Sequence, residues 1–220
     1  RFSSSDVGVM PPAADAEEKP PSAGGIPVLP PISVDPPEHT WTRRLMLPWF
    51  SHRRVEELEV ITRDLCRGLV DGFVADGRAD AAADYAQQIP VRIISMVLGV
   101  PEEMSDTFTG WVRDVLEFAH DERRREAGAE ALGLYLYEQV QRRKTEPGDD
   151  LISELVHTEH EGELLSDEIV LGIAALTLIA GVDTTWSAIG SSMWHLATHE
   201  ADRRRLVAEP ELMPTAVEEL

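Results

Sequence analysis

The chain has 220 residues, and the 43% of them that are hydrophobic suffice for the core of a globular domain. Asp and Glu number 40 against 20 Lys and Arg, so the formal net charge is −20 at pH 7. A surface this acidic argues against nucleic acid or an anionic membrane as a partner. The one cysteine, Cys66, excludes an internal disulfide. Together with the lack of a recognisable signal peptide, it indicates a reducing, cytoplasmic compartment.

The first 37 residues differ in composition from the rest of the chain. They are rich in Pro, Gly, Ser and Ala and show no hydrophobic periodicity, which predicts a loop region over 1–37. Asp35-Pro36-Pro37 is a typical helix start, and helical patterns follow as far as residue 220. The fold class predicted for 38–220 is therefore mainly α, as one domain without repeats or strands. The later helices are predicted at 53–75, 80–98, 102–119, 121–144, 149–158, 167–198, 201–208 and 213–220.

The helix predicted at 167–198 has a polar group at its centre. The apolar run 169–182 is shorter than a membrane span, and Asp183-Thr184-Thr185 follows it directly. A helix of this length measures roughly 45 Å, so it must cross the core, where a carboxylate and a hydroxyl cost free energy unless they are used. The structural alternative is an Asp paired with an arginine and a Thr bonded to its own backbone.

The residues around this polar group predict a small pocket. Gly181 permits close approach to the backbone, and the Thr184 hydroxyl can bond to the carbonyl of Ala180. An opening lined by Ala180, Gly181, Asp183 and Thr184 suits a small polar ligand beside a proton path. Leu176 and Ile179 supply an apolar wall suited to an apolar substrate.

The string Ala-Gly-Val-Asp-Thr-Thr at 180–185 resembles the distal helix of the cytochromes P-450. The resemblance extends over nearly the whole chain, in the family's order and spacing, and it is to the soluble bacterial type. The other matching stretches are Val-Asp-Pro-Pro-Glu-His-Thr-Trp-Thr-Arg-Arg-Leu at 34–45, Leu-Gly-Val-Pro at 98–101, Pro-Gly-Asp-Asp-Leu at 147–151 and Ala-Val-Glu-Glu-Leu at 216–220.

The resemblance implies a multi-helix fold with 167–198 as its long distal helix, and a monooxygenase that inserts one oxygen atom from dioxygen into an organic substrate. Its cofactor would be haem b, and its electrons would come from a ferredoxin and ferredoxin reductase or a similar donor. Thr184 would hydrogen-bond dioxygen at the haem, and Asp183 would help to relay protons to it. Ala180 and Gly181 would form the groove for dioxygen.

One further pair of residues takes its role from the same resemblance. His39 and Arg43 lie four positions apart, hence on one helical face, and would contact a haem propionate. Arg44 points elsewhere on that helix. Leu176 and Ile179 would contact the substrate.

The chain lacks the residue that binds the haem iron in this family. The family holds its iron through a cysteine thiolate in a loop near its C-terminus, whereas Cys66 lies in an early helix outside any such motif. The thiolate is therefore expected beyond Leu220, as is the Arg that would complete the Glu-x-x-Arg pair opened by Glu219. The non-Met start and the helical pattern at Leu220 likewise indicate a fragment. We expect these 220 residues alone to be inactive, without a metal ligand of their own.

Two alternatives stay open at this point. Glu117/His120 and Glu154/His157 are Glu-x-x-His pairs, as in a ferritin-like di-iron bundle. However, the predicted helices place the two pairs at opposite ends of the bundle. A non-catalytic helical interaction module is the second alternative, and it leaves the Asp183–Thr184 pair unexplained.

Overall fold

The computed structural model describes residues 28–118 and 120–220. Most of the loop region predicted over 1–37 lies outside the described residues, and 28–37 forms turns before the first helix. The α-helices are α1 (Glu38–Met46), α2 (His52–Phe73), α3 (Gln88–Leu98), α4 (Ser105–Leu116), α5 (Glu122–Arg143), α6 (Leu151–Val156), α7 (Asp167–Thr198), α8 (Glu200–Ala208) and α9 (Met213–Glu219). The strands β1 (Glu159–His160) and β2 (Glu163–Leu164) form an antiparallel hairpin.

The mainly α prediction is confirmed, and the long helix has the predicted bounds. Its start is fixed by Ser166, whose hydroxyl accepts a hydrogen bond from the backbone N–H of Ile169. The helix predicted at 80–98 is instead a π-helical turn, Ala81–Ala86, followed by α3. The expectation of no strands was wrong: residues 159–164 form the hairpin. A strand of two residues is too short to show the alternation of apolar and polar residues from which strands are predicted.

The core forms around the first half of α7. This helix packs against α3, α4, α5 and α6, and from Gly172 to Ile179 every residue is buried. From α5, Leu132, Leu136 and Val140 face it with 1% exposure or less, each contributing roughly 1.5–3 kcal/mol. Within the described residues α7 alone is long and apolar enough to cross a membrane, but more than half of its most apolar stretch is buried in the protein.

A buried ion pair joins three segments of the chain. The Arg143 Nε lies 2.8 Å from Asp150 Oδ2, and the Arg143 guanidinium also donates to the carbonyl oxygen of Gly99. Asp150 Oδ1 accepts from the backbone N–H of Ser153 and so caps α6. Gly99 has a φ of 68°, and a Cβ there would lie 2.3 Å from the Asp150 carboxyl. The motifs at 98–101 and 147–151 are thus two sides of one structural contact.

Candidate active site

A groove lies between α1 and the middle of α7, with a volume of about 530 Å³. Cavities of this size hold organic cofactors and substrates. Five of the predicted site residues line it together: His39 and Arg43 from α1, and Leu176, Ala180 and Gly181 from α7. Its remaining walls are mainly apolar and consist of Pro31, Ile32, Met46, Leu47, Phe50, Ile94 and Thr177.

The α1 wall is held by contacts on its far side. Thr42 is fully buried, and its hydroxyl donates to the carbonyl oxygen of Glu38 at 2.8 Å. Trp49, in the 3₁₀ turn that follows α1, is also buried, and its Nε1 donates to Glu154 Oε2 at 2.6 Å. The Trp49 bond ties the turn after α1 to α6, whereas the Thr42 bond lies within α1.

Arg43 and Arg44 face different cavities, as the helical spacing predicts. Arg44 lines an open cavity with Trp41 and His160, whose rings are stacked at 4.2 Å. Among the described residues, Arg43 has no carboxylate within 4.0 Å and no side-chain hydrogen bond, although the chain is strongly acidic. A guanidinium that lines an apolar groove without a carboxylate partner of its own can bind the carboxylate of a ligand.

The α7 wall is shaped by Gly181 and Thr184. A Cβ on Gly181 would lie 2.7 Å from Ile94 Cδ1, so the missing side chain lets α3 approach the α7 backbone. The Thr184 hydroxyl donates to the Ala180 carbonyl oxygen at 2.7 Å, as predicted. Thr184 follows Ala180 by one helical turn, on the side of the groove, but it does not line the groove itself.

Asp183 and Thr184 are less buried than the sequence predicts. Thr184 is exposed and Asp183 is half-buried, because the residues of α7 after Val182 have fewer neighbours in the described part of the chain. Asp183 lies near Glu117 and Trp186, outside the groove. Desolvation by burial raises the pKa of Asp183, and the negative charge of Glu117 adds to that rise. Among residues 28–118 and 120–220, no arginine forms an ion pair with Asp183, so the alternative of an Asp183–arginine pair finds no support there.

Replacing Asp183 by Asn is expected to stabilise the fold at pH 7. The folded state binds the Asp183 proton more tightly than the unfolded state does, so ionised Asp183 destabilises the fold above its raised pKa. The stability that Asp183→Asn adds should shrink as the pH falls from 7 to about 4, near the pKa of Asp in the unfolded chain. Urea midpoints across this pH range measure it.

Asp167→Asn is the control, because it is expected to change the stability of the fold at pH 7 in the opposite direction. A hydrogen bond from Lys144 lowers the pKa of Asp167, so its carboxylate stabilises the fold above pH 4 and that contribution is lost as the pH falls through the lowered pKa. Asp167→Asn should therefore destabilise at pH 7. If Asp183→Asn also destabilises at pH 7, Asp183 does not occupy the desolvated position assigned to it.

Ile179 and several wall residues lie where the sequence did not place them. Ile179 is buried in the core and does not line the groove. Conversely, Ile94 and Phe50 line the groove but were not predicted as site residues. Their sequence signal is ordinary hydrophobicity, since only the packing of α3 and of the turn after α1 brings them to α7.

The di-iron alternative does not agree with the contacts of its ligands. Glu154 accepts a hydrogen bond from Trp49, and Glu117 pairs with Arg113 at 2.8 Å. In the two described ranges, no three His, Cys, Asp or Glu side chains converge as a metal site.

Cys66 lies against Tyr85, where burial and the hydrogen bond with Cys66 raise the pKa of Tyr85 to about 12.

Comparison with known proteins identifies the chain's relatives. No protein-family model matches it. It is 40% identical over 192 residues to the mycinamicin IV hydroxylase/epoxidase of Micromonospora griseorubida, covering 86% of this chain and 48% of that protein. It is 38% identical to the vitamin D(3) 25-hydroxylase of Pseudonocardia autotrophica, and the match covers 86% of this chain and 47% of that protein.

Solved structures agree with the sequence relatives. The cytochrome P-450 PksS of the Bacillus subtilis bacillaene polyketide synthase superposes with a TM-score of 0.79 at 30% identity, over 86% of this chain and 49% of PksS. The chain thus spans about half the length of the relatives it matches. By sequence and by fold, the chain belongs to the cytochrome P-450 family.

Proposed function

We propose that the intact protein is a haem-dependent monooxygenase that inserts one oxygen atom from dioxygen into an organic substrate. One observation carries the proposal: the groove places His39 and Arg43 opposite the small residues Ala180 and Gly181. The relatives support the same kind of reaction, since two of them are named as hydroxylases.

The groove fits one face and one edge of a haem b. Its apolar walls suit the flat macrocycle, and Arg43, which has no ion-pair partner in the described part of the chain, suits a propionate together with His39. A bound haem would supply the binding and reduction of dioxygen. The groove offers no thiolate to a haem iron, because the single cysteine, Cys66, lies on α2 and not in the groove. We infer that the thiolate comes from outside these 220 residues, and that they are inactive alone.

Thr184 and Asp183 are proposed to deliver protons at the groove. The Thr184 Oγ1 donates to the carbonyl oxygen of Ala180, which itself lines the groove, and a change of rotamer about the Thr184 Cα–Cβ bond would free the hydroxyl for a ligand. Asp183, whose pKa is raised by burial and by Glu117, is a carboxyl that can take up a proton from the solvent side and pass it on.

The substrate is proposed to be an apolar or moderately polar organic molecule. Leu176, Ile32 and Phe50 give the groove an apolar lining. Ile179 lies in the core and is not assigned a contact with it. A ferredoxin with its reductase, or a similar donor, would supply electrons in the cytoplasm, with neither nucleic acid nor membrane as a partner.

The test is the spectrum of the intact protein after reduction under carbon monoxide. A haem held through a thiolate should move the Soret band to the long-wavelength position typical of the family. Absence of a haem signal would overturn the proposal, and iron bound with carboxylate ligands would favour the di-iron alternative. A protein without any cofactor would favour the non-catalytic helical module.

Replacing Thr184 by Ala is expected to divert electrons from product to peroxide. The hydroxyl that moves the proton is lost, whereas haem content should stay unchanged. The peroxide formed per NAD(P)H consumed should rise several-fold, by analogy with the 10²–10⁴-fold effects of general acid–base groups. Thr184→Ser should restore most of the coupling. The control is Thr185→Ala, at an exposed neighbouring position. Equal peroxide yields in both alanine variants would remove Thr184 from the mechanism.

A further inference from the structure

The segment 28–34 crosses α7 at Gly172, two helical turns before Ala180. A Cβ placed on Gly172 would lie 2.3 Å from the backbone oxygen of Val28 and 2.7 Å from Pro30 Cδ. Both distances are far shorter than the roughly 3.5 Å at which non-bonded heavy atoms rest. The first partner is a backbone atom, so no change of rotamer can relieve the contact.

The same segment continues into the wall of the groove. Leu29, Pro30 and Pro31 are buried, and Pro31 and Ile32 line the groove directly. Two hydrogen bonds close the segment into a turn: Ser33 N donates to Leu29 O at 3.1 Å, and Leu29 N donates to Ser33 Oγ at 2.7 Å. Pro30, which rests on Gly172, lies inside this closed turn, so a displacement of Pro30 would move its neighbours Pro31 and Ile32 as well.

We propose that Gly172 is a positioning residue that sets the width of the groove and thereby its choice of substrate. The lack of a side chain at 172 lets the wall segment rest directly on the α7 backbone. Any side chain there would push the segment outward by on the order of 1 Å. The inference rests on the proposed function, since it takes the part of the groove beside Ile32 and Leu176, which a haem would leave open, as the place where the organic substrate binds.

The experiment compares Gly172→Ala with Gly190→Ala in the intact, haem-loaded protein. Gly190 lies on the same helix, and a Cβ there would meet nothing within 4 Å, so both variants make the same chemical change. The first readout is amide hydrogen exchange over residues 28–34. Exchange of the Leu29 and Ser33 amides should accelerate in Gly172→Ala and stay unchanged in Gly190→Ala.

The second readout is discrimination between a narrow and a wide apolar probe, dodecanoic acid and testosterone. The ratio of their dissociation constants should change on the order of tenfold in Gly172→Ala, as is typical when an apolar pocket changes by about one methylene. It should stay within about twofold in Gly190→Ala. Haem content and the carbon monoxide spectrum should be unchanged in both variants.

The outcomes separate this proposal from the proposed function. Unchanged exchange over 28–34, or an unchanged probe ratio, overturns the role of Gly172 even when the protein is an active monooxygenase. Failure of both probes to bind the unaltered protein overturns the groove as a substrate site, and the proposal falls with it. If Gly172→Ala does not fold, Pro30→Ala takes its place, because it removes the ring that rests on Gly172. Pro30→Ala should accelerate hydrogen exchange of the Leu29 and Ser33 amides and change the ratio of the two probe dissociation constants.

Discussion

Replacing Asp150 by Ala is expected to lower the free energy of unfolding by about 3–5 kcal/mol, the range for breaking a buried ion pair from one side. The Asp150 and Arg143 side chains are only 3% and 10% exposed, so the remaining guanidinium could not be solvated. The substitution also removes the cap that Asp150 gives to Ser153 N at the start of α6. Urea-induced unfolding of the intact protein, followed by circular dichroism, measures the loss.

The neighbouring residue provides the control for this prediction. Asp149 is 88% exposed and meets Arg54 at 3.4 Å, so Asp149→Ala should leave the urea midpoint nearly unchanged. Asp150→Asn should fall between the two, because it keeps the shape and one acceptor but loses the charge. Equal shifts in Asp149→Ala and Asp150→Ala would show that the buried pair does not stabilise the fold.

Replacing Arg43 by Ala is expected to weaken haem retention by about 10- to 100-fold, the range for losing a charge-assisted hydrogen bond. Arg43 lines the groove without an ion-pair partner among the described residues, so its guanidinium is free for a propionate. Transfer of haem from the intact protein to excess apomyoglobin, monitored at the Soret band, measures the rate of loss.

Arg44→Ala is the matched control for Arg43→Ala. It removes the same charge from the adjacent position, but Arg44 lines the cavity on the other side of α1. Its rate of haem loss should equal that of the unaltered protein. Arg43→Lys should retain haem to an intermediate extent, since an ammonium group lacks the two-pronged geometry of a guanidinium. Similar rates for Arg43→Ala and Arg44→Ala would place the propionates elsewhere.

Local rules explain what was predictable from the sequence. The bounds of α7 follow from an apolar run with helical flanks, and the Ser166 cap found in the structure is equally a property of neighbouring residues. The shared face of His39 and Arg43 follows from their spacing of four, and the structure places both in the groove. The bond from Thr184 to Ala180 is equally local. Interactions within one helical turn can be deduced without knowledge of the fold.

What was not predictable depends on how distant elements pack. Ile94 enters the groove because α3 crosses α7 at Gly181, and no pattern within α3 indicates that crossing. Periodicity also cannot tell which neighbour a helical face meets, so it did not separate the core position of Ile179 from the groove position of Leu176. For the same reason the approach of Glu117 to Asp183 was missed, since the two residues lie in different parts of the chain.

The hydrogen bond from Trp49 to Glu154 has a consequence for how the groove is assembled. It joins residues 105 positions apart, and closing a flexible loop of that length costs about 4 kcal/mol of chain entropy. One hydrogen bond to a carboxylate contributes only about 1.5–3 kcal/mol. The bond therefore cannot recruit the α1 wall by itself, and it closes only after α3, α6 and α7 have brought the two ends together. The cationic side of the groove is thus a product of the finished core, not a unit that could be excised and keep its shape.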